Sequence, residues 1–146
     1  MEENVLRLSS RELYYSAMLL RLEQVVNIGY DFPADESAMK AELDDAKQSL
    51  HKKNLLRENS KGEIVLNREL VVCAAYCAKP GNCVVVEENG IVGTLYCTED
   101  AVMLLEKTGE DVYEARWFAD MRQANGFIER RVEENTAKEA ADNGGA

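Results

Sequence analysis

Histidine, proline and tryptophan are scarce in this sequence of 146 residues, which has one, two and one of them respectively. A histidine acting as a general acid or base would have to be His51, and no serine or cysteine motif places a nucleophile beside it. Phosphate-binding glycine loops, His-Glu-x-x-His zinc motifs and calcium loops are also missing from the sequence. We therefore expect neither catalysis nor a cofactor, although the acids Glu42, Asp44 and Asp45 leave a small enzyme with an acidic site as an alternative.

Long apolar runs and excess positive charge are lacking as well. The most continuous apolar run, Leu70 to Ala78, is far shorter than the roughly 20 residues that span a bilayer. Seventeen basic residues against 27 acidic ones give a net charge of -10, which repels phosphate backbones and anionic membranes. Residues Met1 to Ser10 contain Glu2 and Glu3 and no apolar segment of the signal-peptide kind. These features predict a cytoplasmic protein that binds no nucleic acid and enters no membrane.

The four cysteines do not have the spacing of a metal site. Structural zinc sites usually supply paired Cys-x-x-Cys motifs, whereas Cys73 and Cys77 are separated by three residues, and Cys83 and Cys97 stand alone. Without a signal peptide, a disulfide framework is not expected. We predict four buried, reduced thiols and no metal.

Residues typical of helix N-termini predict three helices in the first half of the chain, which begin at Ser9, Asp35 and Asn67. Ser9 and Glu12 have the spacing of a capping box, and the helix they begin is predicted to run to about Ile28, before Gly29. This helix is apolar over more than half of its circumference, so it is either the central helix of the domain or part of an interface. The remaining predicted helices run from Asp35 to about Lys53, from Asn67 to about Ala78 and from Ala119 to Glu134.

Four β-rich runs follow one another with turn residues between them. The turns are Asn89-Gly90, Glu99-Asp100 and Gly109-Glu110, and this even spacing predicts a four-stranded antiparallel meander. The fold class is therefore α+β, with helices packed on the meander, in one domain over residues 1–134. Residues 135–146 are predicted to form a flexible tail. The strands are predicted at Cys83–Glu87, Ile91–Cys97, Ala101–Lys107 and Val112–Phe118.

Two-residue hairpins would fix the register of the meander and so the side of the sheet on which each residue lies. The predicted inner face carries Val84, Leu95, Leu104 and Trp117, among others. The predicted outer face is apolar at its centre and charged at its margin, which is typical of a protein-binding surface. Either a partner protein, a second copy of the chain or the last helix would cover it. The central residues are Val85, Val92, Tyr96, Met103 and Leu105, and the marginal ones are Glu87, Lys107, Glu114 and Arg116.

The chain resembles a family of accessory proteins of ESX-type (type VII) secretion. The similarity begins at Leu8-Ser9-Ser10-Arg11-Glu12-Leu13-Tyr14-Tyr15 and extends to about Phe118. It includes Asp44 to Leu56, which leads into Lys61-Gly62-Glu63-Ile64-Val65-Leu66-Asn67, and the strands at Val84–Val86 and Tyr113–Trp117. The resemblance implies a cytosolic chaperone or adaptor that binds paired helical secretion substrates through an α+β fold of two similar halves. This chain is about half the length of the family's mycobacterial chaperones, which implies a one-half version that completes itself as a homodimer.

The leading hypothesis from the sequence is thus a non-catalytic protein-binding chaperone or adaptor for type VII secretion substrates. The alternative is a divergent winged-helix-like regulatory domain, because the order helix, helix, strand, helix, hairpin resembles that fold. A recognition helix needs several exposed polar residues on one side, whereas the third predicted helix is Arg68 and Glu69 followed by an apolar run. The sequence therefore favours the protein-binding hypothesis.

Overall fold

The computed structural model describes residues 5–79 and 83–144, with side chains to residue 138. Its contacts divide the chain into two compact units, residues 8–80 and residues 1–7 with 81–146. Among the described residues, no helix combines the length and apolar character that a membrane span requires. The elements are β1 (Leu6–Leu8), α1 (Ser10–Leu19), α2 (Glu36–Lys52), β2 (Leu56–Glu58), β3 (Ile64–Leu66), α3 (Arg68–Cys77), β4 (Cys83–Glu88), β5 (Ile91–Cys97), β6 (Val102–Gly109), β7 (Val112–Phe118) and α4 (Met121–Gly144).

In the unit of residues 8–80, each helix begins at its predicted cap. The Ser9 hydroxyl accepts a hydrogen bond from the backbone N–H of Glu12, whose carboxylate accepts one from the N–H of Ser9. The side chains of Asp35 and Asn67 cap α2 and α3 in the same manner. Helix α1 packs against both α2 and α3, so it is the central helix of this unit.

Helix α1 ends at Leu19, nine residues before the predicted end at Ile28. Arg21 adopts a left-handed conformation with φ +57°. The N–H of Arg21 donates to the carbonyl of Met18, and the N–H of Leu22 donates to the carbonyl of Ala17. These two bonds are the Schellman motif, which glycine usually forms. An arginine in this position gave no sequence signal, and Gly29 lies beyond the helix in an irregular segment.

Strands β2 and β3 form a small antiparallel hairpin. Leu56 pairs with Leu66 and Glu58 with Ile64. The side-chain oxygen of Asn59 accepts hydrogen bonds from the N–H groups of Lys61 and Glu63, which fixes the turn.

The unit of residues 1–7 with 81–146 contains a five-stranded sheet in the order β1-β7-β6-β5-β4. Strands β4 to β7 form the predicted antiparallel meander. Strand β1 was not predicted and lies beside β7, where Arg7 Nε is 3.1 Å from Glu114 Oε2. Since β1 occupies the outer edge of β7, β4 is the other outermost strand of the sheet.

The register of β7 differs from the prediction by one residue. Gly109 pairs with Val112, but Lys107 pairs with Tyr113, so Thr108 is the extra residue of a β-bulge. A shift of one residue transfers every side chain of a strand to the other face. Trp117 therefore pairs with Met103, and Arg116 with Leu104, the reverse of the predicted placement.

Helix α4 covers one face of this sheet. Ala124, Phe127 and Ile128 of the helix join a buried cluster with Leu95 and Leu104 of the central strands. The helix also continues to Gly144, so residues 135–144, predicted as a tail, are helical.

Candidate protein-binding surface

The turn between β4 and β5 gives these two strands their register. Asn89 and Gly90 have φ values of +41° and +90°, and Glu88 pairs with Ile91, so the two strands join through a two-residue type I′ turn. A Cβ atom on Gly90 would lie 3.0 Å from Asn135 Nδ2. Asn135 of α4 also donates a hydrogen bond of 3.0 Å to the carbonyl of Asn89. The hairpin is thus anchored to α4 at its turn.

The outermost strand β4 exposes valines on both faces. Val84 is 52% exposed and Val85 is 56% exposed, and their side chains point to opposite sides of the sheet. Val92 of β5, on the same side as Val85, is 45% exposed. We call these three valines, with Glu87 and Glu88 at the end of β4, the β4 edge surface. Val84, predicted to point into the core, is therefore a surface residue.

The five residues predicted to bind a partner do lie on one side of the sheet, but they do not form one exposed surface. Val85 and Val92 are exposed, while Tyr96, Met103 and Leu105 are 2%, 0% and 2% exposed. Since the latter three are buried within the single chain, only the margin of the predicted surface can meet a partner without a rearrangement.

Helix α4 does not cover the side of the sheet that carries Tyr96 and Met103. Helix α4 packs on the side that carries Leu95 and Leu104, opposite Met103 and Tyr96. The sequence prediction that α4 could cover the outer face is therefore wrong. Of the apolar side chains of α4, Ala124 and Ile128 are buried, whereas Met121 is 36% exposed.

The predicted charged margin is divided between the two faces by the β-bulge. Glu114 and Arg116 lie on the side of Leu104, where Arg116 is 3.2 Å from Glu106 and 3.0 Å from Glu114. Burial raises the pKa of Glu114. The hydrogen bond from Arg7 and the charges of Arg116 and Arg7 together outweigh this effect, so the net shift of the pKa is downward. Glu106, which is buried, joins these residues to Arg131 at 3.3 Å, so the ion network is half-buried.

Two of the acidic side chains that could serve catalysis, Glu42 and Asp45, have structural partners. Glu42 accepts hydrogen bonds from Tyr30 and from Arg11, and these lower its pKa. Asp45 lies 3.8 Å from the same arginine. The lowered pKa of Glu42 favours its ionised form, which is the opposite of what a general acid needs.

The cysteines and the histidine do not converge. Within residues 5–79 and 83–144, no group of three or more histidine, cysteine or acidic residues could hold a metal ion. Cys73 and Cys77 are buried, and the pKa of Cys73 is raised by its hydrogen bond with Cys77 and by burial, so its thiol stays protonated. Cys83 and Cys97 are half-buried rather than buried as predicted, and His51 is exposed on α2.

Comparison with models of known protein families finds no match for this chain. A comparison with curated proteins finds no match either. The β4 edge surface is therefore interpreted from its own geometry and chemistry.

The predicted meander already placed β4 at one edge of the sheet, and the element that was missed is β1 beside β7. The signal that could have revealed it is the alternation Leu6-Arg7-Leu8, in which the leucines are buried and the arginine is exposed. That pattern is typical of a short strand and would have supplied a neighbour for β7.

Proposed function

We propose that this protein is a non-catalytic chaperone or adaptor that binds other proteins through the β4 edge surface. The observation that supports the proposal is the exposure of Val84, Val85 and Val92, at 52%, 56% and 45%, on and beside an outermost strand. Native proteins usually protect such edges with charges, proline or a covering element, because an open apolar edge pairs with other chains. An edge left apolar is therefore a candidate interface.

The resemblance to accessory proteins of type VII secretion supplies the class of partner. On this proposal the partner is a paired helical secretion substrate, and the protein holds it in the cytoplasm before export. The exposed valines support a protein partner, while the net charge of -10 disfavours nucleic acid.

The winged-helix alternative receives little support from α3. Its exposed residues are Arg68 and Glu69, and the rest of the helix is buried or half-buried. A recognition helix in a DNA groove presents several donors and acceptors to base edges.

The test is complex formation with the Trp-x-Gly helical-hairpin proteins encoded in the same genome. Each pair would be co-expressed with the wild-type chain, and the complex detected by size-exclusion chromatography with light scattering. We expect the double variant Val85→Asp/Val92→Asp to lose the complex, because each aspartate would be desolvated in the interface. Both positions are exposed, so the melting temperature of the free protein should change little.

The matched control is Val112→Asp. Val112 is also a surface valine, 38% exposed, at the start of β7 rather than at the β4 edge. It should leave the complex intact. Complexes that survive Val85→Asp/Val92→Asp, or that Val112→Asp disrupts to the same degree, would contradict a role for this surface.

A further inference from the structure

The two-residue turn determines which backbone groups of β4 face away from the sheet. In such a hairpin the residues that flank the turn, Glu88 and Ile91, exchange both backbone hydrogen bonds. Bonded and non-bonded pairs then alternate along the strands, so Val86 bonds to β5 while Val85 and Glu87 direct their N–H and C=O groups outward. Within the part of the chain that the structure describes, no other segment hydrogen-bonds to the outward groups of Val85 and Glu87.

The β4 edge has few of the features that prevent strand pairing, since its charged residues are two glutamates at one end, Glu87 and Glu88. None of its six residues, Cys83 to Glu88, is a lysine or a proline. The strand is regular, since all six residues pair with β5 in one continuous register without a bulge. A strand of this kind is a template on which an extended segment can form further backbone hydrogen bonds.

We propose that β4 binds an extended segment of the partner as an added antiparallel strand, with β-branched residues beside Val84 and Val85 and a basic residue beside Glu87. This inference rests on the proposed function and specifies how the partner is held. The basic residue follows from charge complementarity, because Glu87 and Glu88 are exposed at one end of a strand that has no cation. In an antiparallel arrangement the residue beside Glu87 precedes the residue beside Val85, so the basic residue lies at the N-terminal end of the bound segment.

A second copy of this chain is a less suitable occupant. Stable dimers bury about 800 Å² on each partner, which the edge of one six-residue strand does not supply. Two chains that each carry a net charge of -10 also repel each other. A partner segment with a basic residue meets neither difficulty.

The first experiment compares Val85→Pro with Val85→Thr. Proline removes the outward N–H at this position and leaves the hydrogen bonds between β4 and β5 in place, whereas threonine keeps the N–H and the branched shape. The probe is a fluorescein-labelled peptide, Lys-Thr-Val-Thr-Val-Thr with an amidated C-terminus, measured by fluorescence anisotropy. We expect Val85→Pro to weaken binding about fivefold to tenfold relative to Val85→Thr, the factor that corresponds to one backbone hydrogen bond.

The second experiment tests direction with the reversed peptide, Thr-Val-Thr-Val-Thr-Lys. Antiparallel addition predicts tighter binding of the lysine-first peptide, and Glu87→Gln should remove that preference. Equal binding of the peptide by Val85→Pro and Val85→Thr would overturn the proposal. So would a dimer of the free chain that Val85→Pro abolishes, because the occupant would then be a second copy.

The outcomes separate this inference from the proposed function. If the helical-hairpin complex is lost in Val85→Asp/Val92→Asp but kept in Val85→Pro, the adaptor function stands and strand addition is wrong. If no helical-hairpin complex forms while the peptides bind with the expected direction, strand addition stands and the proposed class of partner is wrong.

Discussion

Replacement of Glu12 by glutamine removes a negative charge from a carboxylate that is 1% exposed at the start of α1. One carboxylate oxygen accepts from the backbone N–H of Ser9 at 2.8 Å and from Lys53 Nζ at 2.6 Å. The other accepts from the hydroxyl of Ser49 at 2.5 Å. Glutamine keeps the size and one acceptor, but it points an amide donor at one of these donors and removes the negative charge that faces Lys53.

The expected cost is about 2 to 3 kcal/mol in the free energy of unfolding. Hydrogen bonds to a charged group contribute about 1.5 to 3 kcal/mol, and loss of one partner of a fully buried ion pair costs about 3 to 5 kcal/mol. The cost should not exceed about 3 kcal/mol, the low end for buried ion pairs, because the side chain of Lys53 is 39% exposed and can regain water. Urea denaturation monitored by far-UV circular dichroism measures the difference, with Glu129→Gln on the exposed side of α4 as the control.

The difference between wild type and Glu12→Gln should also depend on pH. Burial raises the pKa of Glu12, but the hydrogen bonds from Lys53, Ser49 and Ser9 and the charge of Lys53 outweigh it, so the pKa is lowered from its usual value of 4.5. A carboxyl group whose folded pKa is lowered contributes stability above the unfolded pKa, and this contribution is lost as pH falls through the folded pKa. The gap should be constant near neutral pH and shrink below about pH 4.5. A gap no larger than that of Glu129→Gln, or one that grows on acidification, would refute this account.

Three further predictions concern other positions. Gly93→Ala should lower the melting temperature strongly, because the new Cβ would lie 2.7 Å from the carbonyl oxygen of Leu105. Gly109→Ala is the control, because the nearest atom to its new Cβ would be 3.6 Å away. Gly90→Ala should destabilise the chain by about 1 kcal/mol or more in urea denaturation, since its φ is +90°. Thiol titration of the denatured protein should find all four cysteines free and elemental analysis no stoichiometric zinc, with Cys73 reacting slowly in the native state; one zinc per chain would contradict this.

Local signals predicted the starts of the first three helices and the positions of the meander strands. The caps at Ser9, Asp35 and Asn67 act within four residues of the chain, so the sequence alone specifies them. The turn at Asn89-Gly90 is equally local. These features give the α+β fold class, which the structure confirms.

Features that depend on small changes of backbone conformation were not predictable. Arg21 ends α1 in a left-handed conformation that arginine rarely adopts, so Gly29 seemed the better stop. The bulge at Thr108 has no distinctive residue, yet it transfers Trp117 and Arg116 to opposite faces from those predicted. One extra residue in β6 thus reversed the side-chain assignment of the whole of β7.

The candidate surface depends on contacts between residues distant in sequence, and this is why only part of it was predicted. The alternation in β4 and β5 correctly placed Val85 and Val92 on one side of the sheet, but it could not show that Tyr96 and Met103 on the same side are buried. Strand β1 lies against β7 at one end of the sheet, and α4 covers the face that carries Leu104. Since no described residue of β1 or α4 hydrogen-bonds to the outward backbone groups of Val85 and Glu87, an added strand could bond to these groups without replacing a bond to either element. Partner binding at the edge therefore demands no unfolding of the chain, whereas binding at the centre of the predicted surface would require the buried residues to be uncovered first.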